Sequence, residues 1–148
     1  MRPLVLLFAG LALTACDTVR GAQTVIAIED GRDADCLFDA VRETEGLEIG
    51  PARTDISEGF GIAPWGPTRR ESTVLPFSYE GHRFVLQVTA RDGQEKAQVT
   101  AWGLNQCPPP DYLRAFEAAM SRLEPSLTRC VPADAIETRR LGNCRTSS

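Results

Sequence analysis

An α+β fold is what this sequence predicts: a two-layer sandwich in which an antiparallel β-meander of three or four strands carries two flanking helices. Two periodicities lead to it. Three stretches between positions 72 and 104 alternate apolar and polar residues, the mark of strands with one buried face. Two others repeat apolar residues at three- and four-residue steps, the mark of amphipathic helices. The chain has 148 residues, 43% hydrophobic and 24% charged, which suits one globular domain with a modest core.

In chain order, residues 1–15 form a leader with Arg2 near its start, an apolar run from Leu4 to Leu13, and small residues before Cys16. That run is too short to cross ~30 Å of hydrocarbon as a stable helix. Residues 16–23 are polar and are expected to be a tether, leaving 24–148 as a single α+β domain. "TVIAIE" (24–29) reads as a short strand or an apolar lead-in. A helix is expected over about 34–45, capped by Asp33 or Asp35, with Leu37, Ala40, Val41 and Thr44 on one face and Gly46 as its stop.

The three strands are "STVLPFSYE" (72–80), "RFVLQVTA" (83–90) and "KAQVTAWGL" (96–104). Gly81-His82 and Asp92-Gly93 supply the turns between them. Pro76 has no N–H to donate, which places the first strand at an edge or beside a bulge. "CPPPD" (107–111) then ends the sheet and opens a second helix, about 110–124, with Leu113, Phe116, Met120 and Leu123 in register and Pro125 just beyond its end.

Of the functional signals, the first lies at the leader's exit. Leu13-Thr14-Ala15-Cys16 resembles the lipobox of bacterial lipoproteins. The resemblance covers the first sixteen residues and implies cleavage before Cys16. It also implies a diacylglyceryl thioether on the Cys16 sulfur and acylation of the new amino group, with acyl chains such as palmitate. Several chains meet the requirement that stable anchoring takes more than one lipid signal. The implied address is the bacterial cell envelope, facing the periplasm. Asp17 follows, the residue that in enterobacteria favours the inner membrane; which membrane holds this chain stays open.

Setting Cys16 aside leaves Cys36, Cys107, Cys130 and Cys144, an even set that reads as two disulfides outside the cytoplasm. Of three connectivities, Cys36–Cys107 and Cys130–Cys144 are favoured. The second would close a C-terminal segment that has little apolar content to hold it. A metal site is not expected: there is no C-x-x-C spacing, and His82 is the only histidine.

The second signal is "GFGIAPWGPTRRE" (59–71), a Gly- and Pro-rich stretch carrying Phe60 and Trp65, followed by Arg69 and Arg70. Long loops of this kind are uncommon unless functional or packed by their own side chains. As a partner-binding loop it would use the aromatics as anchors and the arginines to reach acidic groups. As a plain loop it would fold over the core with Trp65 as its plug. Trp102 falls on the opposite side of its strand from Val99 and Ala101, and packing against a neighbouring element is its simplest expectation.

No catalytic motif stands out. G-x-S-x-G is absent, "GFG" lacks a nucleotide-binding context, and nothing selects a pair among twenty acids. No cofactor is implied. The net charge of −4 disfavours nucleic acid as a partner. The reading that results is a lipid-anchored, non-catalytic binding or accessory module with an envelope protein or cell-wall partner. The alternative is a small envelope hydrolase or inhibitor.

Overall fold

Three strands carry the alternating residues, as expected, and four more join them. The computed structural model describes residues 18–29, 31–60, 67–91 and 94–144, the side chains of 31, 32, 57–60, 67–69, 91 and 94 excepted. Its elements are β1 (Val19–Ala27), α1 (Gly31–Glu43), β2 (Glu48–Ile49), β3 (Arg53–Phe60), β4 (Pro67–Tyr79), β5 (His82–Arg91), β6 (Gln94–Leu104), α2 (Pro110–Leu127), a 3-10 turn (Ala133–Ala135) and β7 (Ile136–Leu141). The class is α+β, with one antiparallel sheet and two helices. The sheet has seven strands rather than three or four, in the order β2-β4-β5-β6-β1-β7, with β3 also paired to β4.

Of the additional strands, β1 contains residues 24–27 of the short strand considered at 24–29, but it starts earlier; β2, β3 and β7 escaped sequence reading. β1 begins inside the expected tether: residues 19–23 pair with β6 on one side and 21–23 with β7 on the other. Their polar residues stay outside the core because the sheet buries only one face. β7, "IETRRL", has no fully buried residue and is recruited by pairing with β1 rather than by its own apolarity. Its one helix-facing hydroxyl, Thr138, meets that of buried Thr24 at 2.8 Å.

Pro76 proves informative. β4 is an interior strand, so the edge expectation fails, but the bulge expectation holds. Glu48 and Ile49 pair with Ser78 and Phe77, whereas Arg53 pairs with Val74. Residues 50–52 therefore face only Pro76 and Leu75, an insertion of one residue that bends the edge. The Gly50 N–H donates to the Pro76 carbonyl at 2.8 Å, and a Cβ on Gly50 would stand 2.9 Å from the proline ring. Proline's missing donor thus falls where the neighbouring ladder is already interrupted.

Both helices pack on one face of the sheet. The core joins Leu37 and Val41 of α1 with Leu113, Phe116 and Leu123 of α2 over Leu75, Phe77, Phe84, Leu86, Val99 and Ile26. Thr44 ends the apolar face of the first helix by donating its hydroxyl to the Ala40 carbonyl at 2.7 Å, and Gly46 follows at φ +83°. α1 starts earlier than expected, at Gly31. Asp33 sits in its first turn, where its carboxylate accepts the Glu29 N–H at 3.0 Å, and Asp35 is an exposed helical residue rather than a cap. α2 runs past Pro125 to Leu127. The fully buried Leu127 side chain holds that last turn, and the Thr128 N–H still reaches the Glu124 carbonyl at 2.9 Å. The β4–β5 turn centres on Glu80 and Gly81, both at positive φ, so His82 begins β5 opposite Tyr79. The Asp92-Gly93 turn lies outside the described residues.

Two disulfides form, with a different pairing from the favoured one: Cys36–Cys130 and Cys107–Cys144. β7 is the reason. Because β6 and β7 both run antiparallel to β1, their C-terminal ends emerge at the same end of the sheet. Cys144 is carried away from Cys130 to Cys107, three residues past the end of β6. Cys130, left at the end of α2, faces Cys36 on α1, beside the Arg129–Glu43 ion pair.

Candidate functional site at the two ends of the sheet

The sheet has two chemically distinct ends. At one, β1 starts and β6 and β7 finish. Val19 pairs with Leu104, and the residue before Val19 is tied down from both sides. The Thr18 N–H donates to Asn105 Oδ1 at 2.9 Å, and the Asn105 N–H donates to the Thr18 carbonyl at 2.8 Å. Asn105 takes φ +61°, a left-handed conformation that Asn tolerates better than most residues. Two residues further on, Cys107 is bonded to Cys144. Cys16 and Asp17 lie outside the described residues, but Cys16 is only two positions from Thr18, at most about 7 Å of chain.

The face of the sheet turned away from the helices runs up to this same end. Its centre is polar: Gln23 donates to Gln98 at 2.8 Å, and Gln98 donates to Gln87 at 3.2 Å. Beyond that ladder it turns apolar. Trp102 is 46% exposed, Leu104 52% and Val19 42%. Trp102 is therefore not packed away as expected. It lies across from Gly21, whose Cβ position is closed off by the Ala101 carbonyl.

At the opposite end, the expected long loop is mostly a hairpin. Gly59 pairs with Thr68 and Phe60 with Pro67, so β3 and β4 extend the pairing through most of the 59–71 segment. β5 leaves β4 at the Arg70–Arg91 pair, and the last rungs of the hairpin project past the rest of the sheet. Arg70 is exposed there. Trp65 and the side chains of Phe60 and Arg69 lie outside the described residues; the backbone places positions 60 and 69 on the projecting part. At about 3.3 Å per residue, the path along the strands from Leu104 to the Phe60–Pro67 rung is roughly 40 Å.

Beneath the base of that hairpin, on the helix face, is a cleft of about 340 Å³ that sequence reasoning missed. Glu71 and Glu95 sit on opposite sides of Ala90, which pairs with both, and α1 adds Asp35 and Arg42. One carboxylate oxygen of Glu95 is buried with no hydrogen-bond partner among the described residues. A signal for it exists. Glu71 and Glu95 occupy core-facing positions, and the core-facing positions that follow them, Thr73, Leu75 and Phe77 in β4 and Ala97, Val99 and Ala101 in β6, are apolar or Thr. A second, larger cleft of about 490 Å³ lies at the same end and is bordered by Glu29, Asp33 and Asp134. Among the described residues, no three His, Cys, Asp or Glu side chains converge as a metal site, and no helix is long and apolar enough to cross a membrane.

His82 belongs to a different cluster near the start of α2. Its Nε2 is 3.8 Å from Asp111, and its ring meets Tyr112 edge-on, with centroids 5.5 Å apart. Tyr112 donates its hydroxyl to the Arg83 carbonyl at 2.9 Å, and burial pushes its pKa above the ordinary tyrosine value. These contacts bind the α2 N-terminus to β5. Comparison with known protein families, curated proteins and solved structures finds no match.

Proposed function

We propose that this chain is a lipid-anchored binding or accessory module of a bacterial cell envelope, held by acyl chains on Cys16 and facing the periplasm. Its reach is the β3–β4 hairpin, with Phe60, Trp65, Arg69 and Arg70 as the contact residues for an envelope protein or a cell-wall component. One observation carries this reading. The Phe60–Pro67 rung lies at the end of the sheet opposite Thr18, so a chain tethered through Cys16 holds the hairpin out from the surface. Both disulfides support an address outside the cytoplasm. Aromatics beside arginines are the residue types that most often dominate protein interfaces.

The test is in-cell photocrosslinking from position 65, read by identifying what is captured, alongside fatty-acid labelling of the wild type and Cys16→Ser. The reading expects label only in the wild type, and a single predominant adduct that Arg69→Ala, Arg70→Ala weakens. Label that persists in Cys16→Ser overturns the anchor; diffuse capture indifferent to the arginines overturns the hairpin.

A second reading, a small envelope hydrolase or inhibitor, draws on the Glu95 oxygen that has no partner among the described residues, in a cleft also lined by Glu71. Opposed carboxylates are the groups that glycoside cleavage uses. It expects purified protein to release soluble fragments from cell-wall glycan, and both Glu71→Gln and Glu95→Gln to abolish the release.

A further inference from the structure

We propose that Val19, Trp102 and Leu104 form a membrane seat: an apolar patch that dips into the headgroup region of the bilayer carrying the anchor. The proposal rests on the acylation of Cys16 argued above and assigns the surface that acylation brings to the lipid. Val19 and Leu104 are directly paired across β1 and β6, and Trp102 lies on the same face, one step inward along β6. All three are at least two-fifths exposed, whereas Ala22, Ile26, Ala97, Val99 and Ala101 on the other face of the same two strands are buried.

The chain itself says what covers them. Cys16 is two residues from Thr18, a path of at most about 7 Å, so acyl chains on its sulfur enter the bilayer beside this patch. Thr18 itself is held in place by its paired hydrogen bonds with Asn105. Tryptophan has an amphipathic ring suited to the headgroup level. The acid-lined clefts bordered by Glu29, Asp134, Glu71 and Glu95 lie at the other end of the sheet. Seated this way, the sheet stands up from the membrane with the β3–β4 hairpin outermost.

The test uses the full chain, acylated and purified, carrying Trp65→Phe so that Trp102 is its sole tryptophan. The protein is reconstituted into phosphatidylethanolamine–phosphatidylglycerol vesicles with either plain or shallow-brominated acyl chains. Bromine is expected to remove roughly half of the Trp102 emission, as befits a ring at the headgroup level. Adding Val19→Ser and Leu104→Ser should cut that quenching at least in half while far-UV circular dichroism stays unchanged.

Equal emission in the two vesicle types overturns the seat. So does a Trp102 signal that changes with protein density but not with bromine, which would assign the patch to a second copy of the chain. Mass spectrometry of the N-terminal peptide separates the two layers of the argument. A Cys16 without acyl chains overturns the anchor and the seat together, whereas an acylated chain with unquenched Trp102 overturns the seat alone.

Discussion

Thr18 and Asn105 hold each other by two hydrogen bonds: the Asn105 side-chain oxygen accepts from the Thr18 N–H, and the Asn105 N–H donates to the Thr18 carbonyl. The pair closes the open start of β1 against the end of β6. Asn105→Ala removes the acceptor and puts a Cβ-bearing residue less tolerant of the left-handed region at φ +61°, for an expected loss of about 1–2 kcal/mol by chemical denaturation. Asn105→Gly keeps the backbone conformation and should lose less. Equal losses in the two variants would remove backbone conformation from this account.

Gly21 tests the close approach beneath Trp102. A Cβ there would lie 2.1 Å from the Ala101 carbonyl oxygen, and φ +142° is a conformation that L side chains rarely adopt. Gly21→Ala is expected to cost about 3 kcal/mol or more, the scale of a backbone clash that packing cannot relieve. Amide exchange should rise first in β1 and β6. A variant as stable as the wild type would mean that the two strands separate easily here.

The disulfide pairing is directly checkable. Peptide mapping without reductant should recover Cys36 with Cys130 and Cys107 with Cys144. In the chain-entropy account, removing the first link, across 94 residues, costs about 5 kcal/mol, and removing the second, across 37, about 4 kcal/mol. The local signatures should differ. Loss of Cys107–Cys144 loosens the Thr18 end of the sheet, while loss of Cys36–Cys130 loosens the contact between the helices.

Tyr112 makes stability fall in alkali. Its pKa is raised in the fold, so the folded state holds the phenol proton more tightly than the unfolded chain does. That contribution is complete below the unfolded value, near 10, and is lost as pH rises through the folded one. Tyr112→Phe should flatten the alkaline limb of a pH–stability curve and lower neutral-pH stability by about 1 kcal/mol, through the lost bond to the Arg83 carbonyl. An alkaline limb that is unchanged in the variant would assign the effect to other groups.

What was legible in the sequence followed burial. Leu75, Phe77, Phe84, Leu86, Val99, Leu113, Phe116 and Leu123 declared their elements because each faces the core at a regular period. β7 carried no such signal, since Ile136 and Leu141 are only partly buried and the strand is held chiefly by pairing with β1. Missing that strand also misassigned the disulfides, because only β7 explains why Cys144 travels to Cys107. Pro125 misled in the other direction. Proline forbids one backbone donor, but it did not outweigh a buried Leu127 one half-turn later. The aromatic and arginine content of 59–71 was readable as a candidate contact segment. Its hairpin geometry was not, because Gly and Pro mask the strand pattern. The Glu71–Glu95 cleft was hidden because its acids come from different strands, and only the register brings them across Ala90.

The two rims of the sheet have a consequence for life on a surface. Proteins tied to one membrane share a thin layer, and in such crowding an unpaired strand is an invitation to line up with its neighbour and polymerise. Here one rim is interrupted and the other is charged. One is bent by the extra residue at 50–52, and the other, β7, is studded with Glu137, Arg139 and Arg140, the last tied to Glu117 of α2. On the anchoring proposed above, these features would oppose edge-to-edge pairing between neighbouring copies.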